Sequence, residues 1–356
     1  MPGELDLLKQ LVAIPSVSGE EEAVAVFVED TARRWGVDVV RDHTSVRLEV
    51  RGWGPGPTVA LVSHLDVVPP GAGWTRDPFT PVVEGNRLYG RGSGDAKASV
   101  AAMMYAAKDV HERGGIDAGR LLVVLGYGEE TRHTTMERAV ERVGTVDAAV
   151  IGEPTNLDFA VAQRGLMMVD LLAEGDQRHA GYAADDGRFS NAALVLARDL
   201  LKLDGLFEER THPVLGQTTA TPTMLEAGVS RNVTPPVAKA VLDVRSTPDW
   251  THDEIAGRLA GALESSVIVT SRRLVPCETP AGSRLLAAAR RVRPEARTFG
   301  SPTCSDWVFL RHVDALKCGP GTSRRSHTPD ECVDLPEVSA ARAFYGNLVR
   351  DYLAGR

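Results

Sequence analysis

Apolar positions along this chain alternate between two periods, and the alternation predicts the architecture. The opening stretch reads as a helix, an interruption and a second helix. In SGEEEAVAVFVEDTARRWG, Ser18 and Glu21 have capping-box spacing, and the apolar residues after them recur with helical period. Two β-rich runs follow, RLEV and TVALVSHLD. A long loop, PPGAGWTRDPFTPVVEGNRLYGRGSGD, then leads into a helix through KASVAAMMYAAKDVHERG. RLLVVLGYGEE is a short apolar strand, TTMERAVERVG a helix, and DAAVIGEPT a further strand. Apolar strands alternating with amphipathic helices predict an α/β domain with a mostly parallel sheet.

Near residue 165 the pattern changes. LMMVDLLAEGD reads as a strand, DGRFSNAALVLARDLLKL as a helix, TATPTMLEAG and KAVLDVRSTP as strands, DEIAGRLAGALESS as a helix and VIVTSRRL as a strand. The order β-α-β-β-α-β predicts a ferredoxin-like α+β domain. From about residue 276 the α/β pattern returns and closes on the amphipathic helix VSAARAFYGNLVRDYLAG. The expected organisation is therefore a catalytic α/β domain of residues 1–165 plus 276–356, interrupted by a lid domain of residues 166–275.

Composition narrows the classes of function. The 356 residues are 43% hydrophobic and 25% charged, enough for a full-sized core. A net charge of −8 argues against nucleic acid as a partner, since phosphate binding wants a basic face. MPGELDLLKQL shows no signal-peptide pattern, and no apolar run approaches the roughly 18 residues of a membrane span. Cys277, Cys304, Cys318 and Cys332 form no CxxC pair, so neither a thiolate zinc site nor a redox motif is expected; free thiols fit a cytoplasmic protein.

The chemistry lies in the polar residues that close apolar strands. His64 and Asp66 follow VALV, Glu129 and Glu130 follow LLVVLGYG, and Glu153 follows AAVIG. Asp95 ends the turn GRGSGD before a helix, and His327 lies in SRRSHTPDE ahead of the last helix. Ligands of open α/β sheets bind beyond the carboxyl ends of the strands, so these groups are expected to share one crevice. Imidazoles and carboxylates without thiolate suit zinc or a similar divalent ion. Their number suits a pair of metals about 3.5–4 Å apart. Two cations bring four positive charges; three carboxylates and a bridging hydroxide would neutralise them. His64 and Asp66, two apart on an extended chain, point the same way, so Asp66 could accept the outer imidazole N–H. Adjacent Glu129 and Glu130 diverge, leaving one to ligate metal and the other to take a proton from water.

SHLDVVP, GWTRDPF, GRGSGDAK, GEE, GEPT, RNVTPP, LDVRSTP and KCGPGTSRRSHTPDE together resemble the di-zinc aminoacylase and carboxypeptidase family, in that family's order over nearly the whole chain. The resemblance implies one zinc on His64, Asp95 and Glu153 and another on Asp95, Glu130 and His327, with cobalt able to substitute. It implies Asp66 behind the histidine ligand, Glu129 as general base and a cis peptide at Asp95-Ala96. It also implies His179 in QRHAGYA as the oxyanion stabiliser, and Arg164, Asn232 and Arg245 as substrate anchors, guanidinium being suited to a carboxylate. A homodimer through the lid domain belongs to the same expectation. The chain departs from the family pattern at Ala98-Ser99, where a glycine pair is usual, and at TRHTTMERAV, which replaces a glycine-containing loop. His133 in that segment reads as a solvated loop residue, with a metal or substrate contact as the alternative, and Cys304 in SPTCSDW as an inert buried thiol, with a substrate-contacting loop position as the alternative.

Other hydrolase classes fit less well. GRGSGD does not place Ser93 in G-x-S-x-G, and no base accompanies Cys304. A non-catalytic binding paralogue would be expected to lose the base, yet Glu129 is present. The expected reaction is hydrolysis of an amide linking an acyl group to an amino acid. KCGPGTSRRSHTPDE and GWTRDPF most resemble the acetylornithine-deacetylase-like members of that family, which implies first an N-acetyl amino acid of arginine biosynthesis as substrate. A succinyl-diaminopimelate desuccinylase, a metallodipeptidase or carboxypeptidase, and a hydrolase of carrier-bound amino acids are the alternatives.

Overall fold

Strands covered on both faces read as continuous apolar runs, and Gly54–His64 is such a strand: its last seven residues, from Thr58 onward, are all buried. In the computed structural model, which describes residues 3–131, 133–182 and 189–355, this strand lies at the centre of a nine-stranded sheet. It runs parallel to Ala118–Gly126 on one side and to Ala148–Ile151 on the other. Asp314–Lys317 extends the parallel run beyond Ala148–Ile151. Towards the opposite edge, Ser45–Arg51 and then Asp38–Arg41 pair antiparallel. The sheet is thus parallel at its centre and mixed overall. The parallel strands end on one edge, and the polar residues that close them are delivered to the same side.

Helix Lys97–Glu112 explains how the sheet is covered. Every residue from Lys97 to Ala107 is buried, as expected of a helix enclosed all round. It packs against Leu335–Leu353 and Glu4–Ala13, with Met103, Met104, Leu8, Leu11, Phe344 and Leu348 in one core with Leu61 and Leu121. Its buried Lys97 Nζ donates to the carbonyls of Leu11 (2.9 Å) and Ile14 (2.8 Å). Those oxygens lie at the C-terminal end of Glu4–Ala13, where a helix has carbonyls to satisfy and favours a cation.

The chain divides into two compact units. One comprises residues 1–161, 278–299 and 305–356, and the other residues 162–277 and 300–304. The second unit contains a four-stranded sheet in the order Thr219–Ala227, Val237–Ser246, Gly165–Glu174, Ser266–Leu274. All neighbours are antiparallel. With helices Ala192–Lys202 and His252–Ala262 the element order is β-α-β-β-α-β. Gly165–Glu174 alternates buried and half-buried positions along most of its length. Met167, Val169 and Leu171 meet Leu242, Val244, Ile255 and Leu259 in a separate core. Asn191 caps the first helix, accepting from the N–H groups of Ala193 and Leu194; Thr251 and Glu254 form a reciprocal capping box on the second.

The capping box expected at Ser18 does not form. Helix Glu22–Arg34 starts one residue after Glu21, and the Ser18 hydroxyl instead donates to Asp66 Oδ2 at 2.7 Å. A buried carboxylate is a stronger acceptor than a local backbone turn can offset. Among the described residues no helix is long and apolar enough to cross a membrane.

Core position rather than residue type should set stability in the second unit. Leu242 is fully buried and Leu201 is 81% exposed. In denaturant unfolding, Leu242→Ala is expected to cost about 2–5 kcal/mol, and Leu201→Ala to stay within about 0.5 kcal/mol. Equal losses would contradict this assignment of the core.

Candidate metal centre and its surroundings

The site begins where Gly54–His64 ends. His64 is 1% exposed, and its Nδ1 lies 3.0 Å from the Asp66 backbone carbonyl and 3.5 Å from Asp66 Oδ1. The outer imidazole N–H therefore bonds the carbonyl oxygen, with the carboxylate beside it. This fixes the tautomer and turns Nε2 inward. The Asp66 carboxylate has further partners. Oδ1 accepts from the Glu129 N–H at 3.0 Å, and Oδ2 accepts from the Glu130 N–H at 3.1 Å. Burial would raise its pKa, but His64 and these hydrogen bonds hold it at about 2. Asp66 thus anchors the histidine through its backbone carbonyl, rather than through the carboxylate expected from sequence, and both glutamates through its carboxylate.

Asp95 is presented by the turn GRGSGD, and the turn is wrapped around another carboxylate. Glu331 Oε1 accepts from the N–H groups of Gly94 and Asp95, each at 3.0 Å. Its Oε2 accepts from the Gly92 N–H at 3.1 Å and from Arg91 at 2.6 Å. Arg91 and Glu331 are both about 1% exposed, and the burial of the pair is offset by the four donors on the Glu331 carboxylate. Gly92 has φ +80°, and a Cβ there would stand 2.5 Å from a methyl of Val67; the turn requires glycine. The Asp95-Ala96 peptide is cis.

The remaining groups complete an unbroken series of contacts. Asp95 Oδ1 is 3.4 Å from His64 Nε2, and Asp95 Oδ2 is 3.6 Å from His327 Nε2. His64 Nε2 is 3.9 Å from Glu153 Oε1, and His327 Nε2 is 3.0 Å from Glu130 Oε2. The order in space is Glu153, His64, Asp95, His327, Glu130. His64, Asp95 and Glu130 offer ligand atoms all within 4.8 Å of one another, and so, beside them, do Glu129, His133 and Asp306. Glu129 and Glu130 diverge: Glu130 turns to His327, while Glu129 Oε1 lies 3.6 Å from His133 Nδ1.

These residues fit a pair of divalent cations. Among the described residues His64 Nε2 is buried with no hydrogen-bond partner, a costly condition for a polar atom unless it is a ligand. Burial and the charge of Asp95 push Glu153 up to about 8. Burial and Glu153 push Glu129 well above the carboxylate range. Burial also opposes a charged His64, yet Asp66 and Asp95 raise its pKa. Acid groups driven towards neutrality around basic ones mark a cluster short of positive charge. The donors are nitrogen and oxygen only, as zinc and similar ions accept.

Two contributors, Asp306 and Glu331, carry no sequence signal of their own, Ser18 serves Asp66 rather than a helix cap, and His133 differs from its expected state. His133 is half-buried rather than solvated, because it stands at the N-cap of helix Thr134–Val143. Its Nδ1 lies 3.0 Å from Asp306 Oδ1. The second unit holds the expected substrate residues. His179 is exposed and accepts from the Gly181 N–H at 3.1 Å. Asn232 is exposed and accepts from the Ser230 hydroxyl at 2.9 Å. Arg164 donates to the Leu215 carbonyl at 2.6 Å, and Arg245 pairs with Asp243 at 2.7 and 3.0 Å. Cys304 is half-buried and accepts from Gln163 Nε2 at 3.8 Å.

Comparison with known proteins gives this geometry its context. A succinyl-diaminopimelate desuccinylase 2 of Ruegeria sp. is 29% identical over 380 residues, covering 98% of this chain and 94% of its own length. A succinyl-diaminopimelate desuccinylase of Methylorubrum populi is 28% identical over 387 residues, covering 98% of each. Among solved structures, an M20 family metallo-carboxypeptidase from Sulfolobus solfataricus shares the fold with a TM-score of 0.80 at 18% identity, over 99% of this chain and 100% of that one. Aminopeptidase PepT from Bacillus cereus does so with a TM-score of 0.83 at 17% identity, over 98% of each chain. The model of peptidase family M20/M25/M40 matches residues 60–351, a span that includes His64, Asp95, Glu129, Glu130, Glu153 and His327. The chain therefore belongs to peptidase family M20/M25/M40 and is a metal-dependent hydrolase.

Proposed function

We propose that the protein hydrolyses the amide of an N-acyl amino acid, with an N-succinyl diamino dicarboxylate as its substrate class. The observation that carries the reaction type is the run from Glu153 through His64, Asp95 and His327 to Glu130, with Glu129 beside it. The choice of acyl group is supported by the relatives of matching length, which are named desuccinylases. The acetylornithine reading, first on sequence motifs, gives way to that alternative. Chemistry favours the same side. Ornithine's ammonium wants a carboxylate partner, whereas the anchors assigned by resemblance, Arg164, Asn232 and Arg245, are cationic or neutral. They suit a substrate with several carboxylates.

Two divalent cations, zinc or substituting cobalt, held by His64, Asp95 and Glu153 and by Asp95, Glu130 and His327, would polarise the acyl carbonyl and acidify a water. The chain's own groups do the rest. Asp66 holds His64 and the backbones of Glu129 and Glu130 in place. Glu129 takes a proton from the attacking water and returns it to the leaving amine. His179 is assigned to the tetrahedral oxyanion.

Glu129→Gln is expected to lower kcat by about 10²–10⁴-fold while metal content, measured by atomic absorption, stays at two ions per chain. Unchanged turnover would remove Glu129 from the role of base. A second measurement compares amine release from N-succinyl-diaminopimelate, N-acetylornithine, N-acetylcitrulline and a dipeptide under added zinc or cobalt. The succinylated compound should show the highest kcat/KM, and faster N-acetylornithine hydrolysis would restore the deacetylase reading.

A further inference from the structure

The loop that departs from the family pattern carries a group with a function of its own. His133 has φ +50° and ψ 23°, a left-handed conformation uncommon outside glycine. Its backbone N–H donates to the Gly128 carbonyl at 3.0 Å, closing the loop that bears Glu129 and Glu130. In this conformation Nδ1 stands between two carboxylates, 3.0 Å from Asp306 Oδ1 and 3.6 Å from Glu129 Oε1. Asp306 is 3% exposed. A carboxylate so buried needs a donor, and His133 supplies one, which fixes the proton on Nδ1.

We propose that Asp306 and His133 are positioning residues for Glu129: Asp306 orients the imidazole, and the imidazole sets the direction of the Glu129 carboxylate. This rests on the reading of Glu129 as the base. Asp66 fixes the Glu129 backbone, but the side chain must also be held against the repulsion of Glu153, Asp306 and Glu130. An imidazole N–H within 3.6 Å of Oε1 is suited to that task. No proton leaves His133 in this scheme: its single Nδ1–H stays bonded to Asp306 at 3.0 Å and attracts Glu129 Oε1 from 3.6 Å, which biases the direction of that carboxylate.

The test uses His133→Leu, His133→Asn and Asp306→Asn, each in the native and the Glu129→Gln background. N-succinyl-diaminopimelate is the probe under saturating zinc, with kcat, KM and zinc per chain all measured. In the native background, His133→Leu and Asp306→Asn should lower kcat about 10–100-fold, with KM and zinc content unchanged. His133→Asn, whose amide can still donate, should recover part of the loss. In the Glu129→Gln background the same substitutions should cost nothing further, because the group they act through is gone. Equal losses in both backgrounds, loss of zinc, or native kcat in every variant would overturn the proposal. If His133→Leu does not fold, the two asparagine variants, which conserve polarity, carry the test. Should Glu129→Gln itself turn over normally, the base assignment falls and the positioning pair with it. Should Glu129→Gln be crippled while the His133 and Asp306 variants are normal, only the positioning pair falls.

Discussion

The site depends on the crowding of buried carboxylates around two imidazoles with too little positive charge to neutralise them. Asp95 is the pivot, since its two oxygens face different histidines at 3.4 and 3.6 Å. A carboxylate in that position can be shared by two cations. Without them, burial and mutual repulsion push Glu129, Glu130 and Glu153 upward together. The protein tolerates the arrangement because each group is held by covalent and hydrogen-bonded supports that do not depend on the ions.

Those supports are two other carboxylates. Asp66 collects the His64 side and the N–H groups of Glu129 and Glu130. Glu331 collects the N–H groups of the turn that presents Asp95. Each is deeply buried, and each is satisfied by several donors, so its charge stabilises geometry rather than threatening it. The parallel centre of the sheet matters for the same reason. Gly54–His64, Ala118–Gly126 and Ala148–Ile151 end on one edge, which brings residues from distant parts of the sequence to a single place.

What could be read from sequence follows from this construction. His64, Glu129, Glu130 and Glu153 each close an apolar run, so the break in hydrophobic pattern marks them. Asp95 is marked by the glycine turn and His327 by its motif. The parallel centre and the β-α-β-β-α-β order of the second unit were also legible, because burial on two faces and on one face leave different periodicities. Asp306 and Glu331 left no such mark, since their roles arise from partners 173 and 236 residues away. Ser18 had a plausible local role and lost it to Asp66, 48 residues on. His133 looked solvated because nothing in TRHTTMERAV reveals the buried Asp306 opposite it. Local spacing identifies groups that serve their own element and misses those recruited across the fold.

The most direct test of the central claim is anomalous scattering from crystals of the zinc-loaded protein. Two zinc peaks about 3.5–4 Å apart, one on either side of Asp95 and flanked by His64 with Glu153 and by His327 with Glu130, are the predicted result. A single peak, or peaks bound away from Asp95, would contradict the account.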